Sequence, residues 1–212
     1  MIRNLKVMGL ALVALLAMSV LASSASAQFE SEAAETRLTV SSNDMQKFAP
    51  AKGGTAVECT TISLGTASVQ SGKANTTVTI NPTYSNCETF LGSATAVTTN
   101  GCQYVFHSAA GSTTGTTDVE CPAGKVIEIT VGSICKYTIG TQTGLSSVKF
   151  SNKGTGTTRE VVVEPNVEGI TSTRTTNDFF CPAGGTTGTY VGNATTTGET
   201  TTGTTHIGVF VD

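Results

Sequence analysis

Few side chains of this chain could carry chemistry. Two are histidines, His107 and His206, each able in principle to act as a general base near neutral pH. His107 ends an alternating run just before a Gly/Ser/Thr loop, and His206 opens the last such run. With no nucleophile or acid at motif spacing, a lone histidine at a strand edge is read as a surface residue. Glycoside hydrolysis needs two carboxylates a few ångström apart, and Glu58, Glu88, Glu120, Glu128, Glu160, Glu164 and Glu168 are available. They alternate with apolar neighbours, as Glu128 does within 126–131, which places them on a solvated strand face. No Trp and four Tyr make a poor platform for stacking sugars. Cys121-Pro-Ala-Gly124 and Cys181-Pro-Ala-Gly184 repeat one phrase, but it is not Cys-x-x-Cys and reads as a turn after a structural cysteine. There is no Gly-x-Ser-x-Gly elbow, no phosphate-cradling loop and no calcium-loop spacing. The expectation is no catalytic, metal-ligating or cofactor-binding set, and no cofactor.

The six cysteines carry a different message. Arg3 and Lys6, an apolar run over 7–21, and Ala25-Ser26-Ala27 have the layout of a secretory signal peptide, residues 1–27. The apolar run falls short of the ~20 residues of a membrane span. Cleavage after Ala27 would start the mature chain at Gln28. All six cysteines (59, 87, 102, 121, 135 and 181) lie beyond that point, and an even count in an exported chain implies disulfides. Without Arg3 and Lys6 the chain has 10 basic and 15 acidic residues, a net charge of −5. That balance, with so few Lys and Arg, argues against nucleic acid or an anionic membrane surface as partner. Asn75-Thr-Thr and Asn193-Ala-Thr fit the glycosylation pattern, which matters only in a host that glycosylates.

The elements that would hold these residues are strands. Charged residues are 13% of the chain, about half the ~25% usual for soluble domains. There are 40 Thr, 19 Ser and 23 Gly, a composition that excludes a helical bundle or coiled coil. From Thr55 onward, short runs alternate apolar residues with Thr or Ser, as over 60–64, 76–80, 94–98, 103–106, 126–131, 136–139, 148–150, 160–163 and 206–211. The branched Thr side chain suits a half-exposed pleated surface. Asn100-Gly101 has the type I′ hairpin signature, and Gly132-Ser133 suits type II′. The expected fold is all-β: two related antiparallel halves forming a sandwich- or barrel-like unit, with at most a short helical turn near 83–90. Residues 28–54 read as a flexible N-terminal arm that could add one strand at 37–41, and 55–212 as one disulfide-stapled β domain.

Within that domain 55–110 and 131–212 share an order of phrases. Cys59-Thr-Thr-Ile-Ser-Leu-Gly-Thr is answered by Cys135-Lys-Tyr-Thr-Ile-Gly-Thr, 77–82 by 161–165, and 92–97 by 192–197. Chance matching in Thr/Gly-rich sequence is the alternative. If each half closes its own loop, the bridges are Cys59–Cys87 and Cys135–Cys181, leaving Cys102–Cys121 to flank a hairpin. Pairing of sequential neighbours, Cys87–Cys102 and Cys121–Cys135, is the rival among 15 connectivities.

The phrases Pro82-x-Tyr-x-x-Cys87, Gly92-x-Ala-Thr-x-Val97, Asn100-Gly-Cys-x-Tyr104 and Cys121-Pro-x-Gly-Lys125 resemble a group of secreted, disulfide-containing β proteins of high-GC Gram-positive bacteria. The resemblance covers most of the chain from Thr55 and implies export and a disulfide-bearing β fold. It assigns no activity and no functional residue. The expected role is that of a secreted extracellular or cell-surface structural or binding protein without catalytic activity, with an extracellular partner. A hydrolase using a carboxylate or His site, or a small-ligand binder with its cavity between the halves, is the alternative. Convergent Glu or His side chains in a concave site would favour the enzyme.

Overall fold

The computed structural model describes residues 29–212 except 34, 65, 66, 70–74, 90, 91, 109–111, 133, 177, 178, 180 and 204. The segment 1–27, read above as a signal peptide, and the expected cleavage point after it lie outside the described residues. The strands are β1 (Phe29–Ser31), β2 (Thr36–Ser42), β3 (Gln46–Ala49), β4 (Val57–Leu64), β5 (Ala67–Val69) and β6 (Thr77–Ile80). They continue with β7 (Pro82–Thr89), β8 (Ala94–Thr98), β9 (Gln103–Ser108), β10 (Thr114–Glu120), β11 (Ile127–Val131) and β12 (Cys135–Ile139). The last six are β13 (Gln142–Lys153), β14 (Glu160–Arg174), β15 (Gly185–Val191), β16 (Ala194–Glu199), β17 (His206–Ile207) and β18 (Val209–Val211). The all-β expectation is met.

Eight strands close an antiparallel barrel in the order β12-β11-β8-β7-β4-β3-β15-β14, with β14 returning to β12. Alternation builds it: in β12, Cys135, Tyr137 and Ile139 are buried while Lys136 and Thr138 are half-buried. A second run of strands, β5-β2-β16-β14-β13-β10-β9-β6, lies outside the barrel and shares β14 with it. The first part of β14, 161–165, bonds to β13 and β16, and the last part, 166–174, to β15 and β12. Pro165 stands at the changeover, where the lack of an N–H leaves no ladder donor unmet. Just beyond it, Gly169 (φ +81°) marks a register shift of the bulge type, which bends a strand. The two runs therefore draw their strands alternately along the sequence.

Three local expectations are corrected. Residues 29–49 are not an arm: they supply β1, β2 and β3, with β2 in register on β16 and β3 between β15 and β4. Leu38 and Phe48 bury apolar surface there, which ties the segment down. Residues 82–89 are a strand, β7, rather than a helical turn; the short 3-10 turn lies at Gly156–Thr158. Pairing of β7 with β4 along its whole length outweighs the local cue of Pro82. The turn at Asn100-Gly101 forms, with both φ positive and the Cys102 amide donating to Thr99 O at 2.9 Å. The strands it joins do not pair, because β8 enters the barrel and β9 the outer run. The hairpin at 131–135 does form between β11 and β12, with Gly132 at φ +57°. Of the repeated phrases, 59–64 lies in β4, 136–139 in β12, 77–80 in β6 at the end of the outer run, and 161–163 in the centre of β14.

The described ends of the chain meet. Phe29 to Ser31 pairs with Val209 to Val211. The Asn152 side chain acts as one more strand partner, donating to Val211 O at 2.8 Å and accepting from Val211 N at 2.9 Å. The Arg159 guanidinium sits 4.4 Å from the Phe210 ring centroid.

The structure holds three disulfides, Cys59–Cys87, Cys102–Cys121 and Cys135–Cys181, the set expected if each half closes its own loop. Such usage belongs to an oxidising compartment. Cys59 and Cys87 are direct cross-strand partners on β4 and β7. Cys135–Cys181 reinforces the barrel's closing seam, where β12 and β14 share only two partner pairs. Cys102 and Cys121 lie one residue beyond the Gln103–Glu120 pair that ends the β9–β10 ladder. Replacing both by Ala releases a loop of sequence separation 19 in the unfolded chain. The loss expected in urea unfolding is about 3 kcal/mol. A loss well under ~1 kcal/mol would show that the ladder alone holds that end.

Candidate functional site

Four interior side chains from four distant segments converge: Gln46 on β3, Tyr84 on β7, Tyr104 on β9 and Tyr190 on β15. The Tyr84 and Tyr190 rings meet edge-on with centroids 6.5 Å apart, and Tyr104 and Tyr190 are also 6.5 Å apart. The Tyr84 hydroxyl is hydrogen-bonded to that of Tyr104 at 2.9 Å and to that of Tyr190 at 3.3 Å, and with one proton per phenol it donates one of these bonds and accepts the other. Tyr190 donates to Gln46 Oε1 at 2.7 Å. Gln46 Nε2 donates to the carbonyls of Asp44 and Asn193, both at 3.1 Å. Two carbonyls on the amide nitrogen fix which way that side chain faces, so Oε1 must meet the tyrosine.

The cluster stands between two apolar cavities. One, of about 80 Å³, lies under the outer run and is lined by residues such as Phe29, Leu38, Val78, Phe150, Val161 and Val209. The other, of about 70 Å³, lies between barrel strands and β9, β10 and β13, lined by residues such as Phe48, Val57, Ile127, Ile129, Leu145 and Ile170. Gln46, Tyr104, Phe106, Pro165 and Tyr190 line both. The described linings contain no Lys, Arg or His; Glu30, in the first cavity, is their one carboxylate. The three tyrosines are half-buried, Tyr104 and Tyr190 lining both cavities and Tyr84 the second. Burial raises the pKa of all three, Tyr104 to about 12. In Tyr84 and Tyr190 the nearby tyrosines add to the rise by charge repulsion.

The residues weighed from sequence lie elsewhere. His107 Nε2 is 2.9 Å from Asp118 Oδ2 across the β9–β10 ladder, and Asp118 Oδ1 accepts from the Gly144 amide at 2.7 Å. This pair is half-exposed and lines neither cavity. His206 is exposed on β17. Glu58, Glu128 and Glu164 form cross-strand ion pairs with Lys47, Lys136 and Lys149 at 2.9, 3.0 and 3.6 Å. Glu88 faces Glu58 across β4 and β7. Asn75 Nδ2 donates to Phe29 O, and Asn193 Oδ1 accepts from Asn43 Nδ2 at 2.8 Å. Sequence reasoning missed the tyrosine cluster, although Tyr84 and Tyr104 both fall in the phrases that carry the resemblance.

Comparison of the chain with protein-family models, curated proteins and solved structures found no match. No helix among the described residues is long and apolar enough to cross a membrane.

Proposed function

We propose that this chain is an exported extracellular or cell-surface binding protein, without catalytic activity, that holds a small apolar molecule in its paired cavities. The observation that carries the reading is the pair of apolar cavities meeting at one polar cluster. A few placed polar groups within an apolar wall is the usual make-up of a small-molecule site. Apolar cavities of about 150 Å³ take up benzene. These two, about 80 and 70 Å³, reach that size only together, so the ligand is a small ring or short chain lying against the shared wall. The leader-like first segment and the three disulfides support an extracellular setting.

Titration with cyclopentane, followed by methyl NMR, tests the site. Saturable shifts are expected at lining residues such as Val78, Ile129 and Val161. No shift, or shifts scattered over the outer faces, would sink the reading. Export is checked separately, by finding the chain in culture supernatant with Gln28 at its start.

A further inference from the structure

Gln46 fixes the direction of every hydrogen bond in the tyrosine cluster. Its amide nitrogen gives its protons to the carbonyls of Asp44 and Asn193, so Oε1 can only accept, and Tyr190 donates to it. A phenol has a single proton to give. With that of Tyr190 spent, the bond between Tyr84 and Tyr190 is donated by Tyr84, and the bond between Tyr84 and Tyr104 by Tyr104. The protons run one way, from Tyr104 to Tyr84 to Tyr190 to Gln46, and none is left over. The other hydroxyl on the described lining of the second cavity, that of Thr117, donates to Asp118 O at 3.5 Å. Every side-chain proton donor on that lining is therefore already spent on a protein acceptor. The first cavity differs, since Glu30 and Thr196 also line it.

We propose that the closed tyrosine chain is the specificity determinant of the paired cavities: it confines the second cavity to plain hydrocarbon and turns away oxygen-bearing groups of the same shape. This rests on the binding reading above and narrows it to a chemical class. A carbonyl moved from water into that cavity loses its hydrogen bonds and finds no proton in exchange. An alcohol could give its proton to Tyr104, the one phenol of the chain that receives none, but its oxygen would still leave its water donors unreplaced. A hydrocarbon has no such bonds to lose. Selection then comes from what the wall withholds, since the penalty falls on the wrong ligand alone.

The test compares methylenecyclopentane with cyclopentanone, which carries an oxygen in place of the methylene. Dissociation constants are read from the methyl shifts of Ile129 and Ile170, which line the second cavity and not the first. The protein carries Thr196→Val throughout, which removes the one hydroxyl of the first lining outside the chain. With the chain intact, the preference for the hydrocarbon should match that shown by a hydrocarbon solvent against water. Two further variants then read the direction of the chain. Tyr190→Phe takes away the acceptor of Tyr84, frees one proton on the wall, and should lower the preference by about threefold to tenfold, the worth of one neutral hydrogen bond. Tyr104→Phe removes the head of the chain, frees no proton, and should leave the preference unchanged. A preference far below that of the solvent with the chain intact, or two variants that shift it alike, would overturn the inference while leaving the binding reading in place. If neither molecule moves a lining methyl, the binding reading falls and takes the inference with it.

Discussion

Raising the pH through the tyrosine range is expected to unfold the protein in one step, with three of its four tyrosines ionising as it opens. Tyr84, Tyr104 and Tyr190 all have raised pKa values, by burial first, and Tyr104 is pushed up to about 12. In an unfolded chain each would titrate near 10. Below about pH 10 both states keep these protons, and the stability is intact. Above it the unfolded chain releases protons that the folded chain retains, so stability falls as pH climbs toward the folded values. Each unit of difference is about 1.4 kcal/mol, so Tyr104 alone removes about 3 kcal/mol by roughly pH 12. The other two add to this, against a total stability of about 5–15 kcal/mol typical of domains. Tyr137 is buried as well, and the positive charge of Arg174 beside it offsets part of the rise that burial causes. Tyrosinate absorbance should therefore rise slightly at first, then steeply and together with loss of the far-ultraviolet strand signal. Smooth ionisation of all four tyrosines with that signal unchanged would mean that the cluster is open to solvent.

The second large effect is expected at Phe150. Its side chain is 1% exposed and lies on β13 at the wall of the first cavity. It meets Phe29 edge-on at 5.2 Å between centroids and Phe106 at 6.2 Å. Phe150→Ala removes both contacts and widens an existing cavity, which limits how far the neighbours can collapse. The loss expected in urea is about 3–5 kcal/mol with little change in slope. The enlarged cavity should then admit benzene, which would return part of the stability in proportion to its concentration. A loss below about 1 kcal/mol would show that β1 and β18 settle into the space.

The local grammar of the chain was legible. Alternation over 126–131 and 136–139, with Gly132 between them, pointed to β11, β12 and the hairpin that joins them. The three disulfides followed from treating the cysteines as closing separate loops. What escaped was partner choice. Asn100 and Gly101 dictate a chain reversal through their positive φ, but a turn does not say which sheet receives the outgoing strand. The segment 29–49 looked like an arm because it is short, polar at first and free of cysteine; its order comes from strands more than a hundred residues away. The tyrosine cluster escaped for the same reason. Tyr84 and Tyr190 are 106 residues apart, and each occupies an ordinary strand position. Only the closure of the barrel brings their hydroxyls together.

The pairing of the chain's ends also sets a timetable. Strands β1, β2 and β3 are made first, and their main partners are β18, β16 and β15. Chains are synthesised from the N-terminus at about 5–20 residues per second, so those opening strands wait several seconds with open edges. β3 and β2 each find one early companion, β4 and β5, but keep the other edge open. Neither strand run can be completed before the last thirty or so residues are being made, because β15 links β3 to β14 in the barrel and β16 links β2 to β14 in the outer run. Assembly is therefore post-synthetic, dominated by slow, long-range closures, and unpaired edges must be kept from one another in the meantime. Under the export proposed above this delay would be an advantage, since a chain that cannot fold until it is whole would reach an export channel still able to be threaded.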